Sequence, residues 1–436
     1  MALGTLPPVR RTKRLGIALA AVQVAALLVV GGPAAAAVHP PSEWVIGPYK
    51  KVAMITFDGE TNLRAFNNLL EILEAKNANA SFFLPGKWIA RHPKAARRAR
   101  RAGHKLGNRG FASDSFTSLS DDALRSSINR ARRALKSVGA ASRPFLRPPR
   151  GARDLRVLRV AGSMGYRSVL WTQKPKKGTV KAVARRVLRG VQKGSIISLD
   201  IWRKSHRRAA GRIIEGLRRK GYGIRTIEGL TNVRAVRWDV TLRAGSSGPA
   251  VAHLQRRLNR TSYPAGSVDG RLGYSTLQAV YAFEKTKRLA RDGVVTPAQM
   301  TQIAMSPAPR PPRKRPGTYV DIDISRQVMF EVHNGRVRKT IPISSGNEEN
   351  YTYDGRTYRA HTPRGDFVIE RKIAGKRVSH LGTLWWPSYF VGGFAVHGSD
   401  SVPTYPASHG CVRIPRYLER KFFYRNPIGT PLFVHN

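Results

Sequence analysis

Three patterns along the 436-residue chain predict a multidomain protein: an α/β barrel or parallel sheet, then a small three-helix unit, then a mainly-β unit. From Lys51 to about Leu230 short apolar runs alternate with amphipathic stretches, which is how a parallel sheet covered by helices reads. Between 238 and 305 the strand-like runs cease and apolar residues recur at helical spacing. Beyond a Pro- and Arg-rich stretch, 306–316, residues 317–436 alternate with a period of two.

Ahead of these units, residues 10–14 read RRTKR, Leu15–Val30 is apolar apart from Gln23, and Ala34–Ala37 is a run of small residues. A charged start, an apolar centre and a small-residue end describe an export signal over 1–37. The apolar run is 16 residues, short of the roughly 20 that span a bilayer. Cleavage is therefore expected, giving a secreted protein on the wall side of the membrane. An uncleaved anchor is the alternative and would be its one link to the membrane. Residues 38–48 read as a short leader.

Lys and Arg number 77 against 26 Asp and Glu, a net charge of +51. Such a charge is a long-range field for anions. In the cytosol it would suggest nucleic acid. Outside the membrane no nucleic acid partner is expected, and anionic wall polymers and peptide carboxylates take its place. General surface basicity is the plainer alternative. A single cysteine, Cys411, excludes a disulfide scaffold and a multi-cysteine zinc site.

Within the α/β unit, placed at 45–232, VAMITF (52–57) is a short apolar strand followed by the amphipathic NLRAFNNLLEILEAKN and then ASFFLPG. VKAVARRVLRGVQK (180–193) puts Val180, Val183, Val187, Leu188 and Val191 on one helical face, and GSIISLDI after it is strand-like. In the helical unit, 238–305, Val251, Leu254 and Leu258 share a face; STLQAVYAFEKTKRL opens on hydroxyls suited to capping, Ser275 and Thr276; Thr296 before Pro297 is a cap and first position. The stretch 306–316 is a semi-rigid extended linker. After it YVDIDI and QVMFEV alternate, and HNGRV supplies a hairpin turn.

Cys411 stands in ASHGCVRI, 407–414. A free thiol, with a pKa near ~8.5, needs a base or local positive charge to be an effective nucleophile. His397, in FAVHGSD, ends an apolar strand and could return across a loop; His409 is nearer in sequence, but its ring points away in an extended turn. Gly410 lets the backbone turn so that consecutive N–H groups converge on a developing oxyanion. HGS, a spacer and SHGCVR, together with VDIDISRQVMFEV, ISSGN, TPRGDFVI and YFVGGFAVHG, resemble the L,D-transpeptidase catalytic domain over 317–436. That resemblance implies Cys411 as nucleophile and His397 as general base and proton donor, with the carbonyl of Ser399 or Gly398 orienting the imidazole. It implies an oxyanion hole from the N–H groups of His409, Gly410 and Cys411, with His409 in a backbone-positioning role. Tyr389 and Phe390 are assigned to substrate binding with Arg413, which either binds a diaminopimelate carboxylate or forms a structural ion pair. Members of that family cut the terminal D-Ala from peptidoglycan tetrapeptide stems and pass the acyl group to a neighbouring stem, making 3→3 cross-links.

GSSGPAVAHLQRRLN, VDGRLGYSTLQAVYAFE and DGVVTPAQM resemble the three-helix peptidoglycan-binding domain, in which most matching residues serve turns, caps and core; a spacer that binds nothing is the alternative. VAMITFDGETN, ASFFLPGKWIA, GHKLGNRGFASDSF, FLRPPRG, YRSVLWTQ and GSIISLD resemble the polysaccharide deacetylase domain. That family holds a divalent metal with one Asp and two His beside a basic Asp. Here the base position is Asp58 and Arg147 is kept, but the metal Asp is Gly59, the two His are Arg109 and Ser113, and the late His is Asp200. A cation at Arg109 would repel the metal, and an improvised site from Asp58, Asp114 and Asp200 is the remaining option. A pseudo-deacetylase is expected, with no metal and no cofactor, keeping the fold and a glycan groove. The basic KAARRARRAGHK (94–105) either binds anionic wall polymer or is a solvated helix face. The combined expectation is a secreted enzyme acting on stem peptides and glycan. An L,D-carboxypeptidase and a non-catalytic wall scaffold are the alternatives.

Overall fold

The strand Val52–Asp58 anchors the N-terminal unit, and all of it but Val52 is buried. Apolar side chains on both faces suit a strand covered on both sides, as parallel sheets are. It pairs in parallel with Ser81–Phe83 and Ser195–Asp200, and Ser81–Phe83 pairs with Lys105–Gly107. A second sheet runs in the order Phe145–Leu146, Arg167–Val169, Ser42–Trp44, Val236–Arg237. Two parallel bridges, Asn108 to Leu146 and Gln173 to Ile197, join the sheets into a ring. The expected α/β barrel is therefore present, closed by single bridges. The computed structural model describes residues 1, 38–48, 50–313 and 315–436. The expected export signal lies outside the described residues, among which no helix is long and apolar enough to cross a membrane.

The leader reading of 38–48 is corrected: Ser42–Trp44 is a strand of the second sheet, and Glu43 is fully buried against Arg153, with Oε2 2.6 Å from Nε and Oε1 3.0 Å from Nη2. Three residues are too few to show a period. The helix Val180–Gly190 buries Val183, Ala184 and Val187, with Val180, Leu188 and Val191 partly buried beside them, and Thr179 caps it by accepting from the Ala182 N–H. In the basic 94–105 stretch, Ala95, Ala96 and Ala99 face the core. Arg97 and Arg100 there donate to the carbonyls of Ser137 and Val138, at the C-terminal end of helix Asp121–Ser137. Cations are favoured at that end of a helix, so part of this charge is structural.

The helical unit packs Pro249–Arg260, Tyr274–Lys287 and Pro297–Met305. Thr296 caps the third helix in a capping box with Gln299, as its position before Pro297 predicts. Ser275 and Thr276 do not cap the second. Gly273 takes that place, and Thr276 lies inside the first turn, buried, accepting from Gln255 Nε2 at 2.9 Å. Gln255 also donates to Asp269 and the Arg271 carbonyl and accepts from the Gly270 N–H. One buried amide thus ties the loop to two helices, its two N–H groups shared among three acceptors and its oxygen taking the Gly270 N–H.

In the C-terminal unit, Thr318–Asp323 and Val328–His333 pair antiparallel, as do Val328–His333 and Arg336–Pro342. Asn334 and Gly335 both have positive φ, +48° and +69°, as the predicted two-residue turn requires. Both faces of these strands are covered. Val320 and Ile322 enter the main core, whereas Tyr319, Val328 and Phe330 form a second cluster with Phe433. The helical unit docks directly on this domain. Lys285 Nζ donates to the Ile343 carbonyl (2.8 Å), Gln278 to that of Val402 (3.2 Å), and Tyr417 Oη to that of Pro264 (2.7 Å). Burial pushes the Lys285 ammonium down to about 7.

Candidate active site

The site begins with a register. Strand Phe394–Ser399 runs parallel to Val412–Pro415, pairing Val396 with Val412, His397 with Arg413 and Gly398 with Ile414. Val396, Val412 and Ile414 enter the core. Alternation then turns His397 and Arg413 to the opposite face, and Cys411, two residues before Arg413, falls on that same side. All three line one cavity of about 520 Å³. Gly398 faces inward, where a Cβ would stand 1.8 Å from Glu419 Oε2, so only glycine lets the helix Arg416–Arg425 approach here.

His397 is buried, and its Nδ1 lies 2.9 Å from the Gly398 carbonyl oxygen. A carbonyl only accepts, so Nδ1 carries the proton and Nε2 keeps the lone pair of a base. Gly398 is thus the orienting group. The Ser399 carbonyl, the other candidate, is not: the Nδ1 bond goes to Gly398. Burial pushes His397 down to about 4; nearby Arg413 reinforces this and the Gly398 bond opposes it. Cys411 is half-buried, and burial pushes its thiol up, against the Ala395 backbone and Arg413. Sγ lies 3.8 Å from the Gly393 carbonyl, and its hydrogen bond runs there rather than to His397. The resting pair is therefore a neutral thiol and a neutral imidazole. Because the base form of His397 persists down to about 4, the acid limb of kcat/KM should fall near pH 4, well below the ~6.5 of a free imidazole. Rates of D-Ala release between pH 3.5 and 8 check this, and an acid limb at 6.5 would contradict it.

The turn before the thiol corrects the expected oxyanion hole. Gly410 has φ +125°, and a Cβ there would meet the Phe394 ring at 2.5 Å and the His361 carbonyl at 2.7 Å. Its N–H donates to Ser408 Oγ at 3.0 Å, and Ser408 Oγ–H donates to the Cys411 carbonyl at 2.5 Å. Thr362 Oγ1 clamps the Gly410 carbonyl at 2.7 Å. Gly410 therefore shapes the turn and its N–H is already used. The N–H groups of His409 and Cys411 have no acceptor among the described residues. His409 is exposed at the cavity's rim, its ring edge-on to Tyr351 at 4.8 Å, and no hydrogen bond joins it to Cys411.

The Arg413 guanidinium makes no ion pair or hydrogen bond among the described residues, its backbone alone bonding Ser344, which removes the structural ion pair as its role. Tyr389 lines the cavity beneath the Arg371 guanidinium, 3.9 Å from its ring centre. Phe390 does not reach the cavity: it is fully buried in the core against Phe367, because Tyr389 pairs with Ala395 and its neighbour must face the other way. Arg371, Arg377 and Tyr351 also line the cavity. They come from segments far from the cysteine motif, and nothing in the sequence joins them to it.

The remnant site of the α/β unit lies at the ends of paired strands, where Asp58 stands opposite Asp200. Asp58 is ion-paired to fully buried Arg147 at 3.1 Å, while Asp200 pairs with Lys174 and Arg203, each at 3.1 Å. Arg109 donates to Ser113 Oγ at 3.1 Å. Gly59 has φ +94°, and a Cβ there would lie 2.6 Å from the Trp202 ring. The metal positions are thus filled by cations, a hydroxyl and an aromatic ring, which do not fit a divalent ion. The improvised site fails as well: among the described residues no three His, Cys, Asp or Glu gather, and Asp114 is exposed.

Comparison with known proteins agrees with this layout. Residues 47–169 match the polysaccharide deacetylase model, 247–303 the peptidoglycan binding domain, and 317–434 the L,D-transpeptidase catalytic domain. The chain is 44% identical to a crystallised L,D-transpeptidase from Xylanimonas cellulosilytica, covering 44% of this chain and 97% of that one, with a TM-score of 0.43. It is 26% identical to a peptidoglycan-N-acetylglucosamine deacetylase of Bacillus cereus, over 43% of this chain and 91% of the relative. It is 28% identical to the peptidoglycan-N-acetylmuramic acid deacetylase PdaC of Bacillus subtilis, over 45% of this chain and 42% of that protein. The chain therefore carries an L,D-transpeptidase catalytic domain at its C-terminal end, together with the other domains of a peptidoglycan-active enzyme. Such wall-directed domains imply action outside the cytoplasm.

Proposed function

We propose that this protein is a secreted L,D-transpeptidase that forms 3→3 cross-links through a Cys411 thioester, with a pseudo-deacetylase unit and a binding module holding it on peptidoglycan. The observation that carries the reading is the placement of Cys411, His397 and Arg413 on one face of one strand pair, lining one cavity with the imidazole held by Gly398. Cys411 Sγ attacks the carbonyl carbon of the third stem residue while its proton passes to His397 Nε2. The oxyanion is met by the N–H groups of Cys411 and His409. The C–N bond to the terminal D-Ala breaks, and its nitrogen takes the proton from His397. An amine of a second stem then gives its proton to His397 and attacks the thioester, and sulfur leaves as thiolate and is reprotonated. Arg413 binds a stem carboxylate, with Tyr389 as the wall beside it.

Disaccharide-tetrapeptides incubated with the protein and read by mass spectrometry test the proposal. Cross-linked dimers with D-Ala release and every acetyl group retained are expected. Tripeptide monomers alone would make water the acceptor and the enzyme a carboxypeptidase. The pseudo-deacetylase part has its own measurement. Zinc content after dialysis is expected to be far below one per chain, and tight stoichiometric zinc would overturn it.

A further inference from the structure

A second cavity, of about 370 Å³, lies between the α/β unit and the helical module and takes no part in the transpeptidase site. Five arginines line it, Arg150 and Arg153 from the α/β unit and Arg256, Arg257 and Arg260 from helix Pro249–Arg260; no Asp or Glu is among the lining residues, and Glu43, bonded to Arg153, is the one acidic group behind them. Their charges are unevenly met. Arg153 is neutralised by its two bonds to Glu43, at 2.6 and 3.0 Å. Arg260 donates to the Thr172 carbonyl at 2.8 Å and Arg257 to that of Ala304, neutral acceptors that leave both charges uncompensated. The Nε of Arg257 is buried with no partner. The side chains of Arg150 and Arg256 make no hydrogen bond or ion pair among the described residues. Four cations without an ion pair of their own therefore share one cleft, Arg256 and Arg257 half-buried and Arg150 and Arg260 exposed at its mouth, and like charges held this close repel unless an anion joins them. Burial, with repulsion from Arg153 and Arg260 and against attraction to Glu43, pushes Arg257 down to about 10. The cleft also adjoins the remnant groove: Trp171 lines it, and the same ring lies 5.7 Å from the Arg147 guanidinium.

We propose that this interdomain cavity is an anion site for phosphate, filled by a phosphodiester group of an anionic wall polymer. Guanidinium forks match the oxygens of a phosphate two at a time, and several forks can share one tetrahedral group where a planar carboxylate serves fewer. The volume suits a polyol-phosphate or sugar-phosphate unit. Binding would bridge the α/β unit and the module, so the polymer would fix the two together. The choice of polymer rests on the wall location proposed above, whereas the phosphate chemistry does not.

Calorimetric titration of the full chain at 0.15 M salt tests this, with poly(glycerol phosphate), inorganic phosphate and polyglutamate as probes. Two double variants are compared: Arg256→Gln with Arg260→Gln in the cavity, and Arg185→Gln with Arg189→Gln on the separate basic groove beside helix Val180–Gly190. Saturable binding of poly(glycerol phosphate) is expected, weakened about tenfold or more by the cavity pair and less than twofold by the groove pair. Since the cavity pair removes repulsion, the unliganded variant should melt no lower than the parent, so lost binding is not lost folding. D-Ala release from soluble stems should be unchanged in both, which separates failure of this site from failure of the transpeptidase reading. Equal loss in both pairs, no binding, or polyglutamate binding with the same variant dependence would overturn the proposal. Binding of inorganic phosphate alone, with no polymer bound, would overturn the polymer assignment and leave a free-phosphate site.

Discussion

Cys411→Ala should remove D-Ala release and cross-linking together, by roughly ten-thousand-fold, to the uncatalysed background. Sγ supplies both the bond that expels D-Ala and the thioester that the second stem attacks, and no other cysteine exists to replace it. The variant should fold, because Cys411 is half-buried and its sulfur makes only weak contacts, the long one to the Gly393 carbonyl and one with the Ala395 backbone. His397→Ala should cost less, about 10² to 10⁴-fold, the range of a positioned general base. Its loss should be partly relieved at high pH, where solvent deprotonates the thiol. That relief separates a base from a merely structural histidine. Wild-type product levels from Cys411→Ala, at matched protein and substrate, would remove the acyl-enzyme from the mechanism and leave a wall-binding scaffold.

Where the sequence carries local chemistry, it reads well. Thr296 before Pro297 caps as predicted, Asn334 and Gly335 turn as predicted, and the cysteine motif and His397 meet at one cavity. The failures share a cause: competition from groups distant in sequence. Ser275 and Thr276 look like caps, but the buried Gln255 claims Thr276, and Gly273 begins the helix. Gly410 looks like an oxyanion donor, but Ser408 takes its N–H. Phe390 and Tyr389 look equivalent until the register with Ala395 sends one to the core and the other to the cavity, and shifts in pairing between Trp385 and Val391 make that face hard to count from the motif. The arginines of the second cavity come from two units and show no pattern in the sequence at all.

Arg147→Met should lower the stability of the α/β unit by about 3–5 kcal/mol, the cost of stranding one member of a buried ion pair. Arg147 is fully buried, and its donors are used in four directions: Asp58 at 3.1 Å, Thr56 Oγ1 at 2.6 Å, and the carbonyls of Val169 and Leu170 at 2.8 and 3.0 Å. Its guanidinium also lies 4.1 Å from the centre of the Phe83 ring. Burial by itself would raise the Asp58 pKa, but Arg147, then Lys174 and the Ser198 hydroxyl, hold it below the usual carboxylate range. Asp58 therefore contributes stability at neutral pH that is lost as pH falls through its depressed folded value. Without Arg147 that contribution reverses: the carboxylate is favoured as its neutral acid, and stability of the variant should rise as pH is lowered toward 5, where the parent's Asp58 contribution is unchanged. Adding Asp58→Asn to Arg147→Met removes the stranded charge and should recover about half of the loss, the non-additivity expected of groups in contact. Thermal unfolding of the first transition at pH 5 and 8 reads all three comparisons, the parent's Asp58 contribution being flat across that window because its pKa is depressed below 3.8. A loss under about 1 kcal/mol, or strict additivity of the two substitutions, would mean the pair does not hold the barrel. The expected result would explain why an aspartate and an arginine stay together at strand ends whose metal positions are otherwise filled: their interaction supports the fold whether or not chemistry is done there.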